Sequence, residues 1–341
     1  MGTTILIAGI IVFLALFFDF TNGFHDSANI VATVITSRAL PPSVALISAA
    51  ISEFIGAYFL GTAVAQTIGS GIVDPRLLQT GNSGAIVIVS ALLGAIIWNF
   101  ITWYFGIPSS SSHALIGGLI GAFFFGWGPE PINWNKVLSI ILIMIISPFI
   151  GFIITYIFTK LTLVFSQWST PKANVVFQRL QILSSITQAL AHGTNDAQKT
   201  MGVITFTLVI LGLHNIPEGQ SMLVPHWVII SCAGAISIGM GIGGWRIIKT
   251  LGGKFYKIRP IHGFASQTAS TLIIYLTALF GFPISTTQVI SSSIMGAGSA
   301  FRIKMVRWQV AEDMVVAWLI TIPVSGIIAG FFFFVLSKIF C

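Results

Sequence analysis

Charge is scarce in this chain. Of its 341 residues only 7% are charged, 16 Lys and Arg against nine Asp and Glu, while 55% are hydrophobic. Soluble domains carry about 25% charged residues, so a surface this poor in charge cannot face water, and a soluble enzyme or binding module is excluded. Cysteine is nearly absent too: Cys232 and Cys341 are too few for a disulfide framework and have no metal-ligand spacing. The net charge of +7 does not indicate nucleic acid, because the basic residues lie between apolar segments, as the positive-inside rule predicts. The N-terminus lacks a basic n-region and a small-residue cleavage site, so its apolar stretch reads as a retained first span. Ser, His and Asp residues occur without a nucleophile elbow or a zinc-type His pair, which argues against an intramembrane hydrolase.

What the chain does have is long apolar runs. They fall near 4–20, 43–66, 84–105, 114–127 and 137–159, and again near 201–213, 227–245, 264–280, 289–301 and 314–337. At ~20 residues per span this predicts an all-α polytopic membrane protein of about 10–12 transmembrane helices. Gly, Pro, Ser and Asn interrupt the pattern at 21–29, 106–113, 192–200 and 281–288. Broken or re-entrant helices are tolerated at membrane depth only where the freed backbone lines a cavity or is buried in protein, so these interruptions mark the expected site. Basic residues in 160–179, 246–259 and 302–307 set those segments in the cytoplasm, with both termini outside. Segments near 70–80, 128–135 and 214–226, poor in Lys and Arg, face outward.

An internal repeat organises the runs. "GFHDSANIVATVI" around Asp26 and "GIPSSSSH" at 106–113 are followed, in the same order, by "GTNDAQKTMGVI" around Asp196 and "GFPISTTQ" at 281–288. The spacing from Asp to Pro is 82 residues in the first half and 87 in the second. "QTIGSG" at 66–71 and "KTLGGK" at 249–254 form a weaker echo. An odd number of crossings per half makes the second run inverted: 1–161 forms the first repeat, 162–178 a central cytoplasmic loop and 179–341 the second repeat. Inverted repeats with paired broken helices point to an alternating-access transporter whose site lies near the midplane. A channel would gain nothing from two paired ion sites.

Among the nine acids, Asp19, Asp26, Glu53 and Asp196 sit in apolar surroundings, where a charge costs about 2.5–3.5 kcal/mol even on insertion scales. Asp26 and Asp196 hold equivalent places in the two repeats and read as paired sites for Na⁺ or H⁺; helix capping is the plainer account of each. Ser109, Ser110, Ser111 and Ser112 follow Pro108, and Ser285, Thr286 and Thr287 follow Pro283. Hydroxyls opening a helix offer O–H and N–H donors under a positive dipole, a ready anion site; ordinary N-caps are the alternative. Brought face to face, the two runs could wrap a tetrahedral oxyanion. Asp19 is either a span end or a neighbour of the site. Glu53 is a coupling carboxylate or a structural hydrogen-bond partner, and His25, His113 and His192 are proton carriers or satisfied core histidines. Lys199 attracts the anion or pairs with a carboxylate, and Gln267 reads more as packing than as a ligand.

At these residues the chain resembles the PiT family of inorganic phosphate transporters, in "TNGFHDSANIVATVI" at 21–35, "HGTNDAQKTMGVI" at 192–204, "SSSSHALIG" at 109–117 and "FPISTTQ" at 282–288. The resemblance covers nearly the whole chain. It implies a secondary active transporter, not an enzyme, that imports phosphate in symport with Na⁺ or H⁺ and needs no cofactor. It assigns phosphate binding to Ser109, Ser110, Ser111, Ser285, Thr286, Thr287, Asn29 and Asn195, and cation coupling to Asp26, Asp196, Asn22 and Glu53. Na⁺ would sit at Asp26 and Asp196, with His25, Lys199 and Gln267 in supporting positions. Four residues depart from the family pattern: His25 replaces an Asn, Gln288 a His and Gln267 a Glu, and Lys199 stands where the first repeat has Asn29. Sulfate, another oxyanion or a metal–phosphate complex is the alternative substrate; the survival of both Asp26 and Asp196 favours phosphate over sulfate. The expected setting is the plasma membrane, with a homodimer as an open option and no nucleic-acid partner.

Overall fold

The structure, a computed structural model, describes residues 2–75, 82–168, 172–216, 221–253 and 256–340. Lys254, Glu218 and Cys341 lie outside the described residues, as do parts of 70–80, of 214–226 and of the central connection. Among the described residues the protein is helical, with one isolated bridge between Val73 and Ile132 and no strand. Helices satisfy their own backbone polar groups, which a lipid environment demands.

The first six helices are α1 (Gly2–Thr36), α2 (Pro42–Phe59), α3 (Ala63–Gly71), α4 (Asn82–Phe105), α5 (Ser111–Trp127) and α6 (Trp134–Ser166). Then follow α7 (Ala173–Ile210), α8 (His226–Ile242), α9 (Trp245–Gly253), α10 (Pro260–Leu279), α11 (Thr286–Phe301) and α12 (Trp308–Phe340). The lengths repeat in order: 35, 18, 9, 24, 17 and 33 residues, then 38, 17, 9, 20, 16 and 33. The last helix of each set carries one internal proline, Pro148 and Pro323. Among the described residues five helices, α1, α2, α4, α6 and α12, are long and apolar enough to cross a membrane, and α5 and α8 are shorter apolar helices. Their outer faces expose Phe13, Leu142, Phe149, Ile153, Leu319 and Ile327, among others.

The two sets interlock. α1 packs on α8 and α2 on α7; α5 packs on α12 and α11 on α6; α3 packs on α7 and α9 on α1. Glycine permits the closest crossings. A Cβ at Gly23 would lie 2.0 Å from the Ile236 carbonyl oxygen of α8, and one at Gly56 would lie 2.0 Å from the Leu190 carbonyl oxygen of α7. Without a hydrophobic drive between helices in lipid, such close van der Waals contact holds the bundle together.

Three features differ from the sequence expectation. The interruptions at 21–29 and 192–200 are not breaks: α1 and α7 run straight through Asp26 and Asp196. Neither stretch contains proline, and the polar side chains that suggested loops are bonded to residues far along the chain. Helix breaks do occur before the hydroxyl runs, at 106–110 and 280–285, and also at 60–62 and at Gly243–Gly244, inside segments that read as single spans. Helix α6 continues to Ser166 and α7 starts at Ala173, so the connection between the two sets is 167–172, shorter than 162–178.

Candidate functional site

The hydroxyl runs form two helix starts that meet. Ser110 caps α5, its Oγ accepting from the His113 backbone N–H at 3.1 Å, and Ser285 caps α11 in the same way toward Gln288 at 3.3 Å. The two capping side chains touch: Ser285 Oγ donates to Ser110 Oγ at 2.7 Å. Next to them His113 Nδ1 lies 2.8 Å from Ser110 Oγ, and His113 Nε2 lies 3.2 Å from Gln288 Nε2. The positive ends of two helix dipoles thus converge on one buried spot.

Below these caps lie the carboxylates of α1 and α7, because both helices continue through the centre and carry Asp on the face toward α11. Thr286 Oγ1 donates to Asp196 Oδ2 at 3.0 Å and stands 3.4 Å from Asp26 Oδ2. Thr287 Oγ1 donates to Asp26 Oδ1 at 3.0 Å and accepts from Asn29 Nδ2 at 3.0 Å. On its other side, His25 Nδ1 is 3.2 Å from Asp26 Oδ1. Asn22 Nδ2 crosses to the opposite carboxylate, Asp196 Oδ2, at 3.4 Å. Neither Asp is an N-cap, since both sit well inside helices.

His192 stands at the middle. Its Nδ1 pairs with Glu53 Oε1 at 2.5 Å, and its Nε2 is 3.5 Å from both Asp26 Oδ2 and Asp196 Oδ2. Lys199 is enclosed by oxygen, its Nζ donating to Ser112 Oγ at 2.5 Å, Asp196 Oδ1 at 2.6 Å and the Ile284 carbonyl at 2.9 Å. Asp26, Glu53, His192, Asp196 and Lys199 are at most 1% exposed. Several acceptor oxygens around them receive no hydrogen bond from the protein: Asn22 Oδ1, Asn29 Oδ1, Asn195 Oδ1 and Glu53 Oε2. Asp26, His192 and Asp196 each direct one ligand-capable atom into a region where all lie within 4.8 Å of one another.

Most of the residues expected from sequence meet here. Asp26, Asp196, Glu53, Asn22, Asn29, His25, Lys199, Thr286 and Thr287 form one bonded cluster around His192, and Ser110 and Ser285 form a second bonded pair, Ser285 preceding Thr286 in the chain. Ser111 Oγ is buried without a partner, and Asn195 Nδ2 donates to the Phe282 carbonyl at 3.3 Å in the non-helical stretch before α11. Ser109 instead bonds Thr102 at 2.8 Å, behind the α5 cap. Gln267 is set apart: it accepts from Ser184 and donates to the Ile30 carbonyl. Asp19 accepts from Thr200 at 2.9 Å and joins α1 to α7 outside the cluster.

Two residues carry more than the sequence suggested. His192 is four residues before Asp196 as Asn22 is four before Asp26, and that shared spacing is the signal that marks it. Ser112 holds Lys199, in the same place of its hydroxyl run as Thr287.

Comparison with known proteins gives the family. The model of the phosphate transporter family, PHO4, matches residues 22–329. The chain belongs to that family. A relative from Bacillus subtilis, named "Probable low-affinity inorganic phosphate transporter", is 44% identical over all 341 residues of this chain and the whole of its own length. One of the same name from Rhizobium meliloti is 42% identical over 96% of each chain. A solved structure titled "The sodium-dependent phosphate transporter" superposes with a TM-score of 0.86 at 25% identity, covering 99% of this chain and 100% of that one. This phosphate transporter family member is therefore a multi-pass membrane transporter, not an enzyme.

Proposed function

We propose that the chain imports inorganic phosphate in symport with a cation, Na⁺ or H⁺, by alternating access. The observation that carries this reading is the Ser110–Ser285 contact at 2.7 Å with Thr286 reaching both carboxylates below it. In this reading the hydroxyls exchange their mutual bonds for phosphate oxygens, and the dipoles of α5 and α11 favour the anion there. A dianion beside Asp26 and Asp196 is repelled unless a cation arrives with it, so the doubly loaded site is the one able to reorient. The repeated helix lengths support two repeats of inverted topology, rocking about the site at their interface. Orientation by the positive-inside rule keeps both termini outside. The relative from Bacillus subtilis is named for phosphate and the superposed structure for sodium dependence; both names favour the reading.

A second substrate form is favoured by one feature. Asp26, His192 and Asp196 offer mixed oxygen and nitrogen ligands within 4.8 Å, which suits a divalent metal carried as a neutral metal–phosphate complex.

Radiolabelled phosphate uptake into proteoliposomes under a Na⁺ gradient, and separately under a pH gradient, tests both. Gradient-driven uptake that resists excess sulfate is the expected result. Uptake that requires Mg²⁺ would select the complex, and gradient-driven uptake abolished by sulfate would reassign the substrate.

A further inference from the structure

The two halves of the cluster follow one plan, and at one of its positions a charge stands in place of an amide. In the first, Asp26 is followed three positions later by Asn29, and both side chains bond Thr287, the second residue after the Ser285 cap. In the second, Asp196 is followed three positions later by Lys199, which bonds Asp196 and Ser112, the second residue after the Ser110 cap. Each pair is completed by a hydroxyl from the opposite helix set. Lys199 therefore stands where the plan puts a neutral amide.

The surroundings of its ammonium are those of a small hard cation. Nζ has three oxygen neighbours of three kinds at 2.5–2.9 Å: a carboxylate, a hydroxyl and a main-chain carbonyl. The carbonyl belongs to Ile284, in the unwound stretch before α11, and unwound carbonyls beside half-helices are the usual ligands of coupling cations in transporters. Alkaline-earth and alkali cations take oxygen donors of this type. At the first position Asp26 Oδ1 and Thr287 Oγ1 correspond to the carboxylate and the hydroxyl. Asn29, in the place of Lys199, donates to Thr287 through Nδ2 and keeps a buried Oδ1 that receives no hydrogen bond, so that position offers an acceptor where the second supplies a charge.

We infer that the Lys199 ammonium is a tethered cation holding the second of two equivalent cation positions, which leaves only the position at Asp26, Asn29 and Thr287 to an exchangeable ion. The inference rests on the symport reading and sharpens it: each transport cycle carries one coupling cation fewer than a chain with an amide at 199. Lys199→Asn restores the plan of the first position, supplying an oxygen in place of the charge, and opens the second position to Na⁺. The fixed charge also explains why the departure at 199 is tolerated beside Asp196: the carboxylate is compensated in every state of the cycle, loaded or empty.

The test is ²²Na⁺ binding to purified, full-length protein in detergent without phosphate. Lys199→Asn is expected to bind roughly one more Na⁺ per chain than the wild type at saturation, whereas Lys199→Met, which removes the charge without adding an oxygen, gains none. A monodisperse Lys199→Asn protein that binds no more Na⁺ than the wild type overturns the proposal, and Lys199→Gln decides in its place should the Asn variant aggregate. The wild type gives an independent reading. Saturation at roughly two Na⁺, one of them lost in Asp196→Asn, would overturn the proposal whatever the variants do. Because binding is read without phosphate, this outcome stands apart from that of the phosphate-uptake experiment.

Discussion

His192 hydrogen-bonds Glu53 through Nδ1 at 2.5 Å and turns Nε2 toward Asp26 and Asp196, 3.5 Å from each. Glu53 comes from α2 and His192 from α7, so this bond ties the helix sets together at the level of the carboxylates. The imidazole is thereby held in one orientation, as a hydrogen-bonded carboxylate does for a ligating histidine.

Glu53→Ala is expected to leave His192 Nδ1 buried without a partner and to cost about 1–3 kcal/mol. Glu53→Gln can still accept that bond and should recover most of the stability. If Glu53 also takes part in coupling, Gln will restore thermal unfolding in detergent but not cation-driven uptake. Full recovery of both by Gln would reduce Glu53 to a structural acceptor.

The two aspartates should respond differently to the same change. Asp196 neutralises Lys199 at 2.6 Å, and removing one member of a buried ion pair costs about 3–5 kcal/mol. Asp26 has His25, His192, Thr286 and Thr287 around it and, among the described residues, no lysine. Asp196→Asn should therefore unfold at a clearly lower temperature than Asp26→Asn, and Lys199→Met added to Asp196→Asn should restore part of the loss. Equal destabilisation by the two Asn variants would mean that the lysine contributes little to the site. In uptake assays both variants should alter cation dependence.

Much of this site was legible in the chain because it is repeated. Asp26 with Asp196, and the hydroxyl runs after Pro108 and Pro283, stand out as pairs where each alone would be ordinary. The helix path through Asp26 was not legible. "TNGFHDSANI" has the composition of a loop, and its helical state depends on partners such as Thr287, which are remote in sequence. His192 does not stand out in the sequence for a related reason: a buried histidine is common, and only the positions of Glu53, Asp26 and Asp196 in space reveal its place. The breaks at 60–62 and Gly243–Gly244 were hidden inside apolar runs, since hydropathy reports burial in lipid and says little about backbone continuity.

The contact between the caps bears on substrate affinity. Ser110 and Ser285 each cap a helix and also bond one another. Loss of one cap costs about 1 kcal/mol, a modest change for a protein of this size. Ser110→Ala combined with Thr286→Ala is thus expected to raise the KM for phosphate several-fold with little loss of folded protein. An unchanged KM at normal expression would take both side chains out of the substrate path.

Close helix approach sets the geometry of the cluster, and glycine substitution can test it. A Cβ at Gly193 would lie 2.3 Å from the Glu53 carbonyl oxygen and 3.0 Å from Glu53 Cγ. Gly193→Ala must therefore push α2 off α7 and carry Glu53 away from His192, at a cost of about 1–3 kcal/mol from overpacking. Gly234, in α8, has nothing within 4 Å of its Cβ position, so Gly234→Ala should be neutral or gain up to about 1 kcal/mol from helix propensity. Thermal unfolding and uptake measured side by side make the comparison. The expected result is a Gly193→Ala protein that loses both stability and transport while Gly234→Ala keeps both. Gly193→Ala with wild-type transport would show that the Glu53–His192 bond tolerates displacement and is not what sets the carboxylates in place.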